Sequence, residues 1–337
     1  MKVALIGAGR MGRRHGQILA GLPDVDEVLI QDVDGDAATA IAAETGGTVC
    51  GSPGEAIERA DAVVIASSTR THAALIEASV EAGRPIFVEK PLTFTLEESM
   101  AVVDLVERAG AILQLGFQRR FDAAYREARR RVESGELGIV YLVRLIAHDN
   151  APPPAAYIAA SGGLFRDSSV HDFDAIRFVT GREVERVVAV GAVRVSDVFA
   201  RHGDVDTAGA ILTMDDGTLG VLSQTRHNPR GYDIRMEVVG SSDAVSVGVG
   251  TRMPSQSLEA GAAVATDGWE GFLTRFAAAY EAELAAFLDV ARGRAPSPCT
   301  ARDGLEAMRV AVAATTSVRE GRSVALAEIP GGQPAPA

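Results

Sequence analysis

The chain has 337 residues, 33 basic and 45 acidic, giving a formal net charge of −12; at roughly 100–200 residues per domain, that length implies two domains. Such acidity excludes a phosphate-backbone binder, so no nucleic acid is expected as a partner. A hydrophobic fraction of 47% against 23% charged residues excludes an extensively disordered chain, and no stretch reaches the roughly 20 apolar residues that span a bilayer, so no membrane is expected.

From the first residue to about Gln118, short apolar runs alternate with amphipathic segments. Val3–Ile6, Glu27–Gln31, Ala62–Ala66, Pro85–Val88 and Ala111–Leu115 read as buried parallel strands. Met11–Leu22, Asp36–Thr45, Thr71–Gly83 and Leu96–Ala109 carry helical spacing between them. This alternation predicts an α/β domain, a doubly wound parallel sheet over residues 1–120. After Phe121 the grammar changes to a helix at Asp122–Ser134, a strand at Val140–His148, an irregular stretch, and a helix near Asp167–Thr180. Strands follow near Glu185–Val195, Tyr232–Val239 and Ala244–Val249. A hairpin joins Ala208–Met214 to Thr218–Ser223 through Asp215-Asp216-Gly217. Helices at about Leu273–Ala291 and Arg302–Glu320 close the domain. Residues 121–329 thus predict an α+β domain with a large, mainly antiparallel open sheet, and 330–337 a disordered tail.

Cys50 and Cys299 are too far apart, and too isolated, for a disulfide framework or a zinc knuckle. The apolar run behind Lys2 is too short for a signal peptide and leads into glycines, so a reducing cytoplasm is the expected location.

The first strand runs directly into Gly7-Ala8-Gly9-Arg10-Met11-Gly12, and a helix opens at once. Gly7 permits the tight turn, Gly9 lets the backbone approach a pyrophosphate, and Gly12 allows helix to pack on strand. The helix N-terminus offers its amides to the phosphates, so a Rossmann domain is expected. Asp32 ends the second strand twenty residues beyond Gly12, where an acid accepts from both ribose hydroxyls and repels a 2′-phosphate; NAD is the expected cofactor. Ser67, Ser68, Thr69 and His72 follow the strand Ala62–Ala66 at its carboxyl end, where they either face a ligand or cap the next helix.

Of the 33 basic residues only Lys2 and Lys90 are lysine. Lys90 follows a strand in Glu89-Lys90-Pro91, again at the carboxyl edge, where an ammonium can stabilise a forming alkoxide. Asp167, His171 and Asp174 are spaced i, i+4 and i+7 on one helical stripe. That stripe is either a solvated face or a histidine oriented by a carboxylate to act as general base. No short-spaced ligand pair supports a metal; His148 with His171 and Asp167 is the only set that could be assembled, and none is expected to bind one.

The string from Ser161 through Gly162, Gly163, Phe165 and Asp167 to His171 and Asp174 resembles the substrate-domain signature of the Gfo/Idh/MocA oxidoreductases. Among them it is most similar to the inositol 2-dehydrogenases. The likeness extends to the opening glycines, Glu89-Lys90-Pro91, Gly116 through Asp122, the Pro152–Pro154 run with Tyr157, Gly231-Tyr232-Asp233 and Gly268-Trp269, so it covers nearly the whole chain. It implies that Lys90, Asp167 and His171 are catalytic and that Arg119, His148, Asn150, Asp174 and Tyr232 contact a polyol. With the motif readings it marks Gly7, Gly9, Arg10, Met11, Gly12, Asp32, Ser67, Ser68, Thr69, His72, Glu89, Lys90 and Gln118 for the cofactor. Gln118 departs from the methionine of some members.

The implied activity is NAD-dependent oxidation of a ring secondary hydroxyl of a cyclic polyol or sugar, most like myo-inositol 2-dehydrogenase. Other expectations on this scaffold are a dehydrogenase for another sugar or sugar phosphate, an NAD-retaining glycosidase, and a sugar-sensing regulator. Asn150–Arg166, long for a loop, is expected to wall the sugar. The broad sheet needs cover on one face, so a homodimer or homotetramer is expected.

Overall fold

A computed structural model describes residues 1–259 and 267–332. It divides into two compact units, Met1–Phe121 with Ala278–Leu305, and Asp122–Ala277 with Glu306–Ala337.

In the first unit, β1 (Lys2–Ile6), β2 (Glu27–Gln31), β3 (Thr48–Val49), β4 (Ala62–Ile65), β5 (Ile86–Glu89) and β6 (Leu113–Gly116) form one parallel sheet in the order β3-β2-β1-β4-β5-β6. Val3 to Leu5 and Ala62 to Ile65 have no exposed surface, because crossover helices cover parallel strands on both faces and side chains of either parity are buried. The strand order reverses between β1 and β4, and the loops leaving their carboxyl ends lie at that switch point. Two short elements escaped the sequence reading, β3 and the helix Pro53–Arg59, which Ser52 caps through the Glu55 amide.

The sequence reading assigned residues 278–305 to the second domain, but they pack in the first unit. The helix Ala277–Ala291 sets Phe287 against Phe87 of β5, with ring centroids 5.8 Å apart, and the Glu283 carbonyl accepts from Gln114 of β6. The Cys299 carbonyl accepts from the amide of Leu115. Parallel strands need cover on both faces, and a segment distant in sequence supplies part of it here.

The second unit carries β7 (Val140–His148), β8 (Val184–Ala192), β9 (Thr207–Met214), β10 (Leu219–Thr225), β11 (Asp233–Gly240), β12 (Ala244–Val247) and β13 (Val324–Ala325). They form a sheet in the order β12-β11-β7-β10-β9-β8-β13, in which β7 and β10 pair in parallel and the other pairs are antiparallel. One face packs on helices: Val143, Leu145 and Ala147 are buried, and a Cβ on Gly220 would come within 2.7 Å of Ile176 on the helix Val170–Thr180. The opposite face leaves Val188, Val190, Ile211, Leu219 and Val221 exposed.

The stretch Asn150–Arg166 is not wholly irregular, since Ala155–Ala160 forms a helix. The helix expected from Asp167 opens instead with a π-helical turn over Phe165–Ser169, and α-helical geometry begins at Val170. Pro330, at the start of the expected tail, accepts a hydrogen bond from Arg309. Residues 333–337 of that tail lie outside the described residues. Among the described residues no helix is long and apolar enough to cross a membrane.

Candidate active site

The glycine loop of the first unit fits a dinucleotide. Gly7 sits at φ +107, where a Cβ would strike the Ala66 and Ser67 backbone, and a Cβ on Gly12 would lie 1.9 Å from the Gly7 carbonyl oxygen. At Gly9 a Cβ would meet nothing within 4 Å among the described residues, which leaves room over the loop for a phosphate. Asp34, Ser52 and Thr95 cap the helices that follow them, whereas no described side chain caps Arg10–Gly21, whose positive N-terminal end opens directly from the glycine loop. Asp32 is half-buried at the end of β2, one oxygen accepting from the Ala8 amide and the other from the Asp34 amide, so its carboxylate is fixed beside the turn.

These positions separate two roles of glycine. Gly9 has φ −71, open to alanine, so Gly9→Ala is expected to keep its Tm and lose NAD affinity. Gly12→Ala should fold poorly whatever ligand is present. Thermal melts with and without NAD check both.

Arg10 and Met11 open the helix, with Arg10 exposed and Met11 half-buried. Ser67 bonds to Thr71, and Ser68 and Thr69 lead into a short 3₁₀ turn over Thr69–Thr71. His72, marked for the cofactor, has a different position. It is buried, its Nδ1 within 3.2 Å of the Pro91 and Leu92 carbonyls and its Nε2 3.3 Å from the Ser67 carbonyl. It therefore braces the loop after β4 against the loop bearing Lys90, and burial pushes its pKa below the ordinary histidine value. Lys90 is half-buried; Glu89 is buried and turned toward His15. Gln118, Arg119 and Arg120 share a 3₁₀ turn and are all buried, with Arg120 held by Asp303 and the Pro298 carbonyl.

In the second unit the chemistry centres on Asp167. Gly162 and Gly163, at φ +81 and +97, turn the chain into the π-helical turn, and Asp204 accepts from the Leu164 amide to hold that entry. Asp167 is 8% exposed. Its Oδ1 accepts from the Tyr157 hydroxyl at 2.7 Å and its Oδ2 from Arg226 at 2.7 Å. A second Arg226 nitrogen reaches Asp149 at 3.1 Å. Arg226 is itself buried, and the two carboxylates keep it firmly cationic, the Asp167 and Asp149 charges outweighing the cost of its burial. An ion-paired carboxylate is a poor proton acceptor, so this chain fixes Asp167 as an anion. His171 stands one turn on, half-buried at the start of the helix Val170–Thr180.

Asp149, Tyr157 and Arg226 had no catalytic reading from sequence. Tyr157 accompanies the visible proline run and Asp149 lies between the marked His148 and Asn150; Arg226 lies 59 positions from Asp167 and carries no local signal. Arg226→Met should strand the buried Asp167 carboxylate and the partly exposed Asp149 and cost about 3–5 kcal/mol of stability, read as a lower urea midpoint. Arg226→Lys should recover part of it, since an ammonium keeps the charge but loses the two-armed geometry.

Other residues marked for the polyol have varied settings. His148 lies on the sheet face opposite the helices, its Nε2 2.9 Å from the Ser223 hydroxyl, because it shares parity with Leu142, Arg144 and Ile146. Burial lowers its pKa, with Asp233 opposing the shift. The Asn150 amide donates to the Glu270 carbonyl at 2.7 Å. Tyr232 is buried and its backbone pairs with Trp269. Asp174 is wholly buried, 4.0 Å from Arg177, which also pairs with Glu183. Among the described residues no group of three or more His, Cys, Asp and Glu could hold a metal.

Comparison with known proteins shows which family the chain resembles over its length. Residues 1–117 match the model described as an oxidoreductase family with an NAD-binding Rossmann fold, and residues 125–246 match the GFO/IDH/MocA C-terminal domain. A myo-inositol dehydrogenase, Hyg17, of Streptomyces leeuwenhoekii is 41% identical over 95% of this chain and 98% of its own. Myo-inositol 2-dehydrogenase of Thermotoga maritima is 36% identical over 98% of this chain and 100% of its own. A crystal structure of a probable dehydrogenase from Thermotoga maritima superposes with a TM-score of 0.92 at 34% identity, covering 98% of this chain and 100% of that one.

Proposed function

Because the chain belongs to the GFO/IDH/MocA family of NAD-binding oxidoreductases, we propose that it oxidises a ring secondary hydroxyl of a cyclic polyol to a ketone, with myo-inositol as the leading substrate. The observation that carries this reading is the bonded chain Asp149–Arg226–Asp167–Tyr157, whose member Asp167 stands four residues before His171. The names of the relatives, myo-inositol dehydrogenases at 36–41% identity, support the substrate class.

Bound NAD supplies the hydride acceptor. The Gly7–Gly12 loop and the uncapped helix hold its pyrophosphate, and Asp32 takes the ribose hydroxyls. Lys90 donates to the reacting hydroxyl oxygen and stabilises negative charge as it forms there. His171 removes the hydroxyl proton, and the fixed anion of Asp167 stabilises the imidazolium that results. Tyr157 ties the short helix of the proline-rich segment to that carboxylate, which gives the sugar a wall on this side.

The test is a panel of inositols, aldoses and their phosphates with NAD or NADP, following reduced nicotinamide. Turnover on an inositol with NAD supports the reading; a folded protein that binds NAD and turns over no polyol refutes it. The exposed apolar face of β8, β9 and β10 supports assembly through a second copy, and sedimentation as a stable monomer would count against that.

A further inference from the structure

We propose that Glu89 is a positioning residue for Lys90, holding the peptide from which the lysine side chain departs, with His15 as its anchor; this rests on the assignment of Lys90 to the hydroxyl oxygen. Glu89 closes β5 and is 8% exposed. Its Oε1 is 2.6 Å from Nε2 of the buried His15, and its Oε2 accepts from the Lys90 main-chain amide at 3.1 Å. The His15 ring is set edge-on against Phe87, at 5.3 Å, and Tyr280, at 6.1 Å, so the anchor is itself immobilised.

An ionised carboxylate only accepts, which places the hydrogen of His15 on Nε2. His15 Nδ1 is buried with no partner among the described residues. Both oxygens of Glu89 then face donors. Glutamine has the same shape but a single acceptor oxygen, so it either loses one of the two bonds or forces the His15 hydrogen onto the buried Nδ1, which has no partner among the described residues.

Glu283, on the helix Ala277–Ala291, completes the cluster. It has no exposed surface, and neither carboxyl oxygen has a partner among the described residues. Burial first and the charge of Glu89 second raise its pKa well above the ordinary carboxylate value. The shift favours the uncharged form of Glu283. A group whose folded pKa is raised costs stability as pH climbs above its unfolded value, 4.5 here.

The experiment exploits the presence of only two lysines. In a Lys2→Arg background with isotope-labelled lysine, the NMR spectrum has one side-chain signal, that of Lys90. Glu89→Gln is expected to move this signal and to lower kcat by roughly ten- to a hundred-fold, with NAD affinity held within about two-fold. His15→Phe should act the same way, and His15→Gln, which keeps an N–H near Nε2, should restore most of the rate. Glu283→Gln should leave kcat unchanged and raise Tm at neutral pH, a gain that vanishes as pH falls toward 4.5. An unmoved Lys90 signal with normal kcat in Glu89→Gln overturns the proposal. So does an NAD affinity that falls as far as kcat, because Glu89 would then be a cofactor ligand. Normal inositol turnover by Lys90→Met would sink the catalytic assignment alone, since the lysine signal reads the positioning without turnover.

Discussion

Lys90→Arg is expected to fold, to bind NAD as the natural chain does, and to lose turnover by roughly 10²–10³-fold. The charge survives the change, so long-range electrostatics cannot explain such a loss. What changes is geometry: an ammonium is a compact donor on a flexible stem, whereas guanidinium is a broad planar fork that cannot place one N–H on a single oxygen at the same distance. The peptide carrying the side chain is fixed by Glu89, so the backbone has little freedom to compensate. The checks are steady-state kinetics on the best inositol, an NAD titration and a melt. Lys2→Arg is the control: Lys2 is exposed and pairs with Glu27, a surface contact that arginine can make, and its kinetics should match the parent. If both substitutions are silent, lysine scarcity in this chain reflects nothing about its chemistry.

His171→Ala is the second large effect, a loss of roughly 10²–10⁴ in kcat with NAD affinity retained. The parent rate should rise with pH as the imidazole sheds its proton and then level off. The variant has no such group, so its residual rate should climb with pH without that plateau. Asp167→Asn should give a smaller loss in which the plateau survives, because the base remains and only its anionic partner is gone. A variant at position 171 that keeps the parental pH profile would remove His171 from the reaction.

Much of this molecule is legible without coordinates, for reasons particular elements make plain. β1, β2, β4, β5 and β6 were visible because strands covered on both faces carry near-continuous apolar runs, broken only by single polar residues such as Gln114. The glycine loop was visible because its constraints are local: the backbone clash at Gly7 and Gly12 and the open space at Gly9 all arise within a strand-turn-helix unit. β3 was missed because two residues carry no periodicity, and the π-helical turn at Phe165–Ser169 because its spacing differs from an α-helix by a single residue.

The candidate site divides along the same line. Lys90, Asp167 and His171 are marked by motif, while the residues that set their environment come from elsewhere in the chain. His15 reaches Glu89 across 74 positions, and Arg226 reaches Asp167 across 59. His72 and His148 show the converse, since a histidine near a ligand edge looks the same in sequence whether it faces the ligand, braces two loops or lies on the other side of a sheet.

The sequence alone therefore determined the class of this protein, a dinucleotide-binding α/β unit followed by an α+β unit, and marked a lysine and a histidine-carboxylate pair as candidates for its chemistry. Those features depend on local backbone sterics and on side-chain period, which neighbouring residues encode. Only the tertiary structure decided that residues 278–305 return to cover the first sheet, that Arg226 holds Asp167 as an anion, and that His15, Glu89 and Glu283 form one buried cluster. Burial and charge pairing are properties of residues brought together from distant positions, and their energies exist only once the chain has closed around them.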